Sequence, residues 1–234
     1  MSNSTAKELY DKWHGELGEQ EEDNSNSPWH QMTKQHLGDI QGRKVLEIGC
    51  GRGGFSKYLL DCGADLVAAD FSDTAVAITK RLLPNMSNFE AVVADIQKLP
   101  FSDSAFDIVV SLETLEHVPD PDKGLAELVR VTKPGGQLII STPNYFGLLG
   151  LYRTYREVTG RGFSEVGQPI NHPLKLIDRV RKLKQLKCKI NVVDGVGHYL
   201  YIPRTYGIRM TWLDQPHFLM KWIAAHSLTV ATKI

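Results

Sequence analysis

Two carboxylates and an imidazole stand three and four residues apart in the run Ser111-Leu112-Glu113-Thr114-Leu115-Glu116-His117-Val118-Pro119-Asp120-Pro121. On a single helical turn, positions i, i+3 and i+4 share a face, so Glu113, Glu116 and His117 could hold a divalent cation and leave positions open for water or a substrate oxygen. Without a metal, His117 is a candidate general base toward a hydroxyl, with Glu116 beside it. A structural reading also stands, in which the glutamates favour a helix N-terminus and the imidazole packs. Pro119 and Pro121 keep the turn short.

A second group carries binding chemistry. In Val45-Leu46-Glu47-Ile48-Gly49-Cys50-Gly51-Arg52-Gly53-Gly54, a β-type run meets a glycine turn, where the backbone can take positive φ and approach a ligand that a Cβ would push away. The loop alone leaves the ligand open, since Gly49, Gly51 and Gly54 also satisfy a dinucleotide fingerprint. Asp70 closes the next β-type run and can accept two hydrogen bonds from a ribose diol. Asp95 closes the third, where it can accept from an exocyclic adenine amine while Ile96 packs on the ring.

These positions make sense only at the ends of strands. Runs at Lys44–Ile48, Asp65–Ala69, Phe89–Ala94, Ile108–Leu112 and Gln137–Ser141 alternate with helix-like stretches at Gly53–Cys62, Asp73–Leu83 and Lys123–Val131. The alternation predicts βαβ units and a seven-stranded, mostly parallel sheet with helices on both faces, an α/β class whose ligands sit beyond the carboxyl ends of the strands. Lys133-Pro134-Gly135-Gly136 reads as a turn before the fifth strand. Leu174–Leu186 reads as a helix, and Lys189–Asp194 and Leu228–Ile234 as the last strands.

The chain has 234 residues, with 27 Lys+Arg, 27 Asp+Glu and a formal net charge of +0. That length fits one domain with insertions, and the balance argues against a whole-molecule grip on a polyanion. The expected organisation is a flexible N-terminal cap over residues 1–30, which carries the polar stretch 15–28. A single domain over 31–234 follows, with acceptor-side insertions at about 145–172, after strand 5, and about 197–220, between strands 6 and 7. Three scattered cysteines, Cys50, Cys62 and Cys188, indicate neither a disulfide framework nor a cysteine metal site and fit a reducing cytosol. No apolar run is long enough to span a bilayer.

Taken together, EIGCGRG, AAD, ADIQKLPF, FDIVVSLETLEHV and KPGGQLIIS resemble the class I methyltransferases that use S-adenosylmethionine, over about residues 44–143. The resemblance implies a Rossmann-like fold. It places Glu47, Gly49 and Gly51 beside the methionine part of the cofactor, Asp70 at the ribose, Asp95 and Ile96 at the adenine, and Leu112 beside the sulfonium. The E-x-x-E-H-V-P-D-P stretch looks most like the ubiquinone-pathway O-methyltransferases, some of which bind magnesium there. It is also similar to the small-RNA terminal 2′-hydroxyl methyltransferases, which add a further histidine; His172 and His198 are candidates for it. The catalytic expectation is therefore His117 with Glu116, and the metal expectation is Mg2+ on Glu113, Glu116 and His117.

Ten of the 20 aromatic residues lie from Tyr145 to Phe218, in the expected insertions. They suit a small aromatic, quinone-like or isoprenoid-linked acceptor of a hydroxyl methylation. An RNA terminal 2′-O-methyltransferase and an N- or C-methyltransferase of a small metabolite are the alternatives. Tyr10, Trp13, Trp29 and His30 are expected to close over the cofactor. Residues 175–234 carry 11 basic and 3 acidic side chains. Within them Lys175, Arg179, Arg181, Lys182, Lys184, Lys187 and Lys189 read as a solvated face or a peripheral grip on anionic lipid. Nucleic acid is disfavoured because no aromatic is interleaved to stack a base. The expected location is cytoplasmic or membrane-peripheral.

Overall fold

The computed structural model describes residues 3–16, 27–83, 86–145, 147–160, 170–197, 199–200, 208–210 and 220–234. Helices α1 (Asn3–Glu16) and α2 (Pro28–His36) precede β1 (Lys44–Ile48), α3 (Gly54–Asp61), β2 (Asp65–Asp70), α4 (Asp73–Leu82), β3 (Phe89–Val93) and β4 (Phe106–Leu112). A 3₁₀ turn (Leu115–His117) leads to α5 (Pro121–Val131) and β5 (Thr132–Pro143). Then come α6 (Leu148–Val158), α7 (Leu176–Gln185), β6 (Cys188–Val196), the ribbon of β7 (Tyr199–Leu200) with β8 (Ile208–Arg209), and β9 (His226–Lys233).

Side-chain alternation along the strands divides the core between the two faces of the sheet. Leu46, Ile48, Val109, Leu138 and Ile140 point to the face covered by Leu125 and Leu128 of α5 and Leu183 of α7. Their neighbours Val45, Ile108, Val110 and Ile139 point to the other face, under Met32 of α2 and Phe55 and Leu59 of α3. Each fully buried leucine of this kind is worth roughly 1.5–3 kcal/mol. Local signals set the helix starts: the Ser72 hydroxyl accepts from the amide of Ala75 at α4, and the Asp120 carboxylate from that of Lys123 at α5.

The main sheet has the order β3-β2-β1-β4-β5-β9-β6. It is mixed rather than mostly parallel, because β9 pairs antiparallel with both β5 and β6. The cause is the connection. Strands β1 to β5 are linked by crossovers, whereas β6 returns to β9 through residues 197–225, and an antiparallel neighbour needs no crossover helix. β1 and β4 are adjacent and their chains leave toward opposite sides, which makes the gap beyond their carboxyl ends the switch point where ligands of such sheets bind.

One local expectation changes. Lys133–Gly136 lies within β5, as an irregularity where the register jumps from Phe106↔Thr132 to Ile108↔Gln137. α1 is a helix laid against α4: Lys7 pairs with Asp73 at 2.8 Å, and the Asp11 carboxylate accepts from the Ser72 hydroxyl at 2.5 Å and the Thr74 amide at 3.2 Å. Of the expected cap, residues 17–26 lie outside the described residues. So do 161–169 and most of 197–220, which hold Phe163, His198, Tyr206, Trp212 and Phe218. No helix among the described residues is long and apolar enough to cross a membrane.

Candidate active site

A cavity of about 660 Å³ opens at the switch point. Its walls are the glycine turn after β1, Asp70 and Phe71 after β2, Asp95 to Gln97 after β3, and Leu112 to Thr114 with His117 to Pro119 after β4. Tyr10, Trp13 and His14 of α1 and Trp29 and His30 of α2 complete it. Sequence positions far apart thus meet in one volume of the size that takes a cofactor and a small acceptor.

The glycines act by two different means. Gly49 (φ +80°) has no room, since a Cβ there would fall 2.1 Å from the Thr114 hydroxyl oxygen. Gly51 (φ +53°) faces open space, with nothing within 4 Å of an added Cβ. Its amide donates to Asp70 Oδ2 at 2.9 Å, while the Ser72 amide donates to Asp70 Oδ1 at 2.9 Å. Asp70 is buried at the end of β2, and burial raises its pKa to about 6 against those two donors. Glu47 is buried too, accepts from the Ser56 hydroxyl at 2.5 Å, and is raised by burial to about 8. Asp95 is held by the Gln97 amide at 2.8 Å and by Gln97 Nε2 at 3.1 Å, with buried Ile96 beside it.

At the end of β4 the expected single face does not form. Glu113 takes a left-handed backbone (φ +49°), and the 3₁₀ turn begins only at Leu115, so Glu113 turns away from Glu116 and His117. Its carboxylate accepts from the Ser141 hydroxyl at 2.8 Å, and its Oε2 lies 2.8 Å from His226 Nδ1. Although burial pushes the other way, the charge and hydrogen bond of His226 hold the Glu113 carboxyl below its ordinary value. Among the described residues, no group of three His, Cys, Asp or Glu side chains is placed to hold a metal ion. The magnesium site expected on Glu113, Glu116 and His117 therefore does not fit this geometry.

His117 lies on the cavity wall and Glu116 lies fully buried behind it, with Oε1 3.4 Å from His117 Nε2. His117 Nδ1 sits 2.7 Å from the carbonyl oxygen of Ile170. A carbonyl can only accept, so Nδ1 carries the proton and the other nitrogen faces Glu116. Burial lowers the His117 pKa below its ordinary value, which favours neutral imidazole. Such a ring can take a proton on Nε2 and hold the resulting cation against a carboxylate. His172, the other histidine of this region, donates its backbone amide to the Glu116 carbonyl at 2.8 Å.

Three features escape the sequence reading. His226, at the start of β9, reaches Glu113 from the far side of β5, with its ring 4.8 Å from that of Trp29. Arg52 of the glycine turn donates to the backbone carbonyl of His14 in the last turn of α1, tying that helix over the cavity. Arg179, expected on an exposed basic face, is buried and bonds Thr142 Oγ1 at 2.5 Å, Thr229 Oγ1 at 3.1 Å and the Ser227 carbonyl at 3.0 Å. Burial brings its pKa down to about 10. None of the three has a local signal, because each meets a partner far away in the chain.

Residues 46–140 match a family described as a methyltransferase domain. Over 130 residues the chain is 35% identical to the demethylmenaquinone methyltransferase of Renibacterium salmoninarum, covering 54% of each protein. Over 115 residues it is 37% identical to the ubiquinone biosynthesis O-methyltransferase of Alkalilimnicola ehrlichii, covering 47% of this chain and 45% of that one. Ubiquinone-pathway enzymes are thus one group of relatives among several, and demethylmenaquinone methyltransferases recur more often. The chain spans about half the length of these curated relatives. The solved structure of magnesium protoporphyrin IX methyltransferase from Synechocystis PCC 6803, with SAH bound, superposes with a TM-score of 0.66 at 17% identity over 100% of both chains. Residues 46–140 thus resemble a methyltransferase domain, and the chain shares the fold of that solved methyltransferase structure.

Proposed function

We propose that this chain is an S-adenosylmethionine-dependent methyltransferase acting on a hydroxyl-bearing aromatic ring of the quinol or phenol type. The observation that carries the reading is the single cavity joining the glycine turn, Asp70 and Asp95 to His117. The open cradle at Gly51 and the buried Asp70 carboxylate suit the amino-acid and ribose parts of the cofactor, and Asp95 with Ile96 suits an adenine. When bound, the cofactor supplies an electrophilic methyl group on a positively charged sulfur.

The residues of this chain then have distinct tasks. His117, on the cavity wall, and Glu116, 3.4 Å from its Nε2, together form the base: the proton of the acceptor hydroxyl ends on the Nε2–Glu116 edge, where the carboxylate offsets the imidazolium charge. Tyr10, Trp13 and Trp29 exclude water and hold a flat acceptor in line with the methyl group. With the acceptor oxygen left as the nucleophile toward the cofactor's methyl group, His117 holds the proton it has taken and later releases it to solvent.

A second reading sends the methyl to a ring carbon made electron-rich by the same deprotonation. The similarity to demethylmenaquinone methyltransferases, which methylate carbon, favours it. Incubation with methyl-labelled cofactor and reduced 1,4-dihydroxynaphthalene tests both. A labelled methyl ether supports transfer to oxygen and a labelled C-methyl ring supports transfer to carbon. Failure of the protein to bind the cofactor in a calorimeter would refute the whole reading.

A further inference from the structure

Glu113 departs from the rest of the β4 edge in carrying a left-handed backbone without being glycine, a conformation unfavourable to an L residue. The turn sends its side chain sideways across the end of the sheet, where β5 supplies Ser141 and β9 supplies His226. Each carboxylate oxygen thus receives one donor and keeps further acceptor capacity. Glu113 and Trp29 both line the cavity, and the Trp29 ring packs on the His226 ring at 4.8 Å. Strain, two donors from two other strands and an aromatic plate converge on one carboxylate at the wall of the cavity.

We infer that Glu113 is the residue that recognises the acceptor, its carboxylate accepting a hydrogen bond from a ring hydroxyl while the ring lies against Trp29, and that His226 is the positioning residue that keeps it there. The inference rests on the proposed function for the existence of a ring acceptor, but assigns it a group outside the His117 and Glu116 pair. A carboxylate that accepts such a bond discriminates by hydrogen-bonding type. It favours a ring carrying O–H groups over the same ring with its oxygens capped, because a capped oxygen would face the anion with lone pairs only.

The test uses the full chain saturated with SAH and two ring probes, reduced 1,4-dihydroxynaphthalene and 1,4-dimethoxynaphthalene, with affinities read by calorimetry. The wild type is expected to prefer the dihydroxy ring by about tenfold or more, the scale of one hydrogen bond to a charged group. In Glu113→Gln and His226→Phe the preference should shrink to about twofold or less. His226→Asn, which keeps an N–H near the place of Nδ1, should retain most of it. SAH affinity should stay close to wild type in all three variants, and each should still unfold in one cooperative transition even at a lower temperature, which separates lost recognition from lost folding. A preference that survives Glu113→Gln, or that His226→Asn loses as fully as His226→Phe, overturns the inference while leaving the methyltransferase reading in place. A wild type that binds SAH but neither ring overturns both the acceptor class and this assignment.

Discussion

The Thr114 hydroxyl crosses over Gly49 so closely that a Cβ on Gly49 would fall 2.1 Å from its oxygen and 2.6 Å from its methyl carbon. The turn after β1 and the turn after β4 are thereby packed into contact, and Thr114 Oγ1 donates to the Leu112 carbonyl at 2.9 Å. Gly49 also has a φ of +80°, so alanine there suffers both overlap and backbone strain. Gly49→Ala should destabilise the protein by about 2–4 kcal/mol in urea unfolding. Adding Thr114→Ala removes the two nearest overlaps and should recover part of the loss. Full stability of the single variant would show that the two turns are not in contact.

Asp70 joins the amide of Gly51 to that of Ser72, so its carboxylate shapes the glycine turn as well as the cavity wall. Asp70→Ala should weaken cofactor binding by about 1.5–3 kcal/mol, the range for hydrogen bonds to a charged group. Asp70→Asn keeps one acceptor oxygen and should fall between. SAH titrations of the three proteins measure this, and unchanged affinity in the alanine variant would remove Asp70 from the cofactor site.

Much of this arrangement is legible in the sequence, and the exceptions have physical causes. β1 has its expected ends, Lys44–Ile48, because charged Lys44 and the glycine after Ile48 bound a short apolar run. α5 begins at Pro121, not at Lys123, because Asp120 caps it and a proline at the first helical position costs no hydrogen bond. Pro121, which reads as a stop for the Glu113–His117 turn, is the start of the next helix. A single face for Glu113, Glu116 and His117 requires regular helix, and no periodicity announces a left-handed glutamate. The Glu113–His226 contact spans 113 residues and depends on β9 lying next to β5, a pairing that local pattern does not encode.

Arg179 shows how a charge reads differently once the fold is known. Its guanidinium is buried with hydrogen bonds to Thr142, Ser227 and Thr229, and its charge is offset by the nearby carboxylates of Glu113 and Glu116. Truncation removes several hydrogen bonds and leaves the hydroxyls and the Ser227 carbonyl without their donor. Arg179→Ala should therefore cost about 3–5 kcal/mol in denaturant unfolding. Arg179→Lys supplies a single charged centre instead of a planar fork and should cost less but not be neutral. A loss below about 1 kcal/mol, the level of an exposed charge, would return Arg179 to the surface.

Glu47 makes the stability of the ligand-free protein depend on pH in a direction opposite to that of a salt-bridged carboxylate. Burial raises its pKa from 4.5 to about 8, so folding favours the protonated form. A carboxyl whose folded pKa lies above its unfolded value binds more protons in the folded state, and stability falls as pH rises between the two values. The contribution is fully favourable below about pH 4.5 and is lost progressively until pH passes about 8, where the buried charge exacts its whole cost. Asp70, raised to about 6, adds a shallower fall over the lower part of the same window. Urea unfolding at pH 5, 7 and 9 should show this decline, and Glu47→Gln should flatten it, with a gain over wild type of a few kcal/mol at pH 9 and little at pH 5, on the order of 1.4 kcal/mol for each tenfold difference in proton affinity between the folded and unfolded states. Ser56→Ala removes the hydroxyl that donates to Glu47 and should steepen the decline, because the ionised form then loses a donor. A glutamine variant that parallels wild type at all three pH values would show that Glu47 titrates as an exposed side chain does.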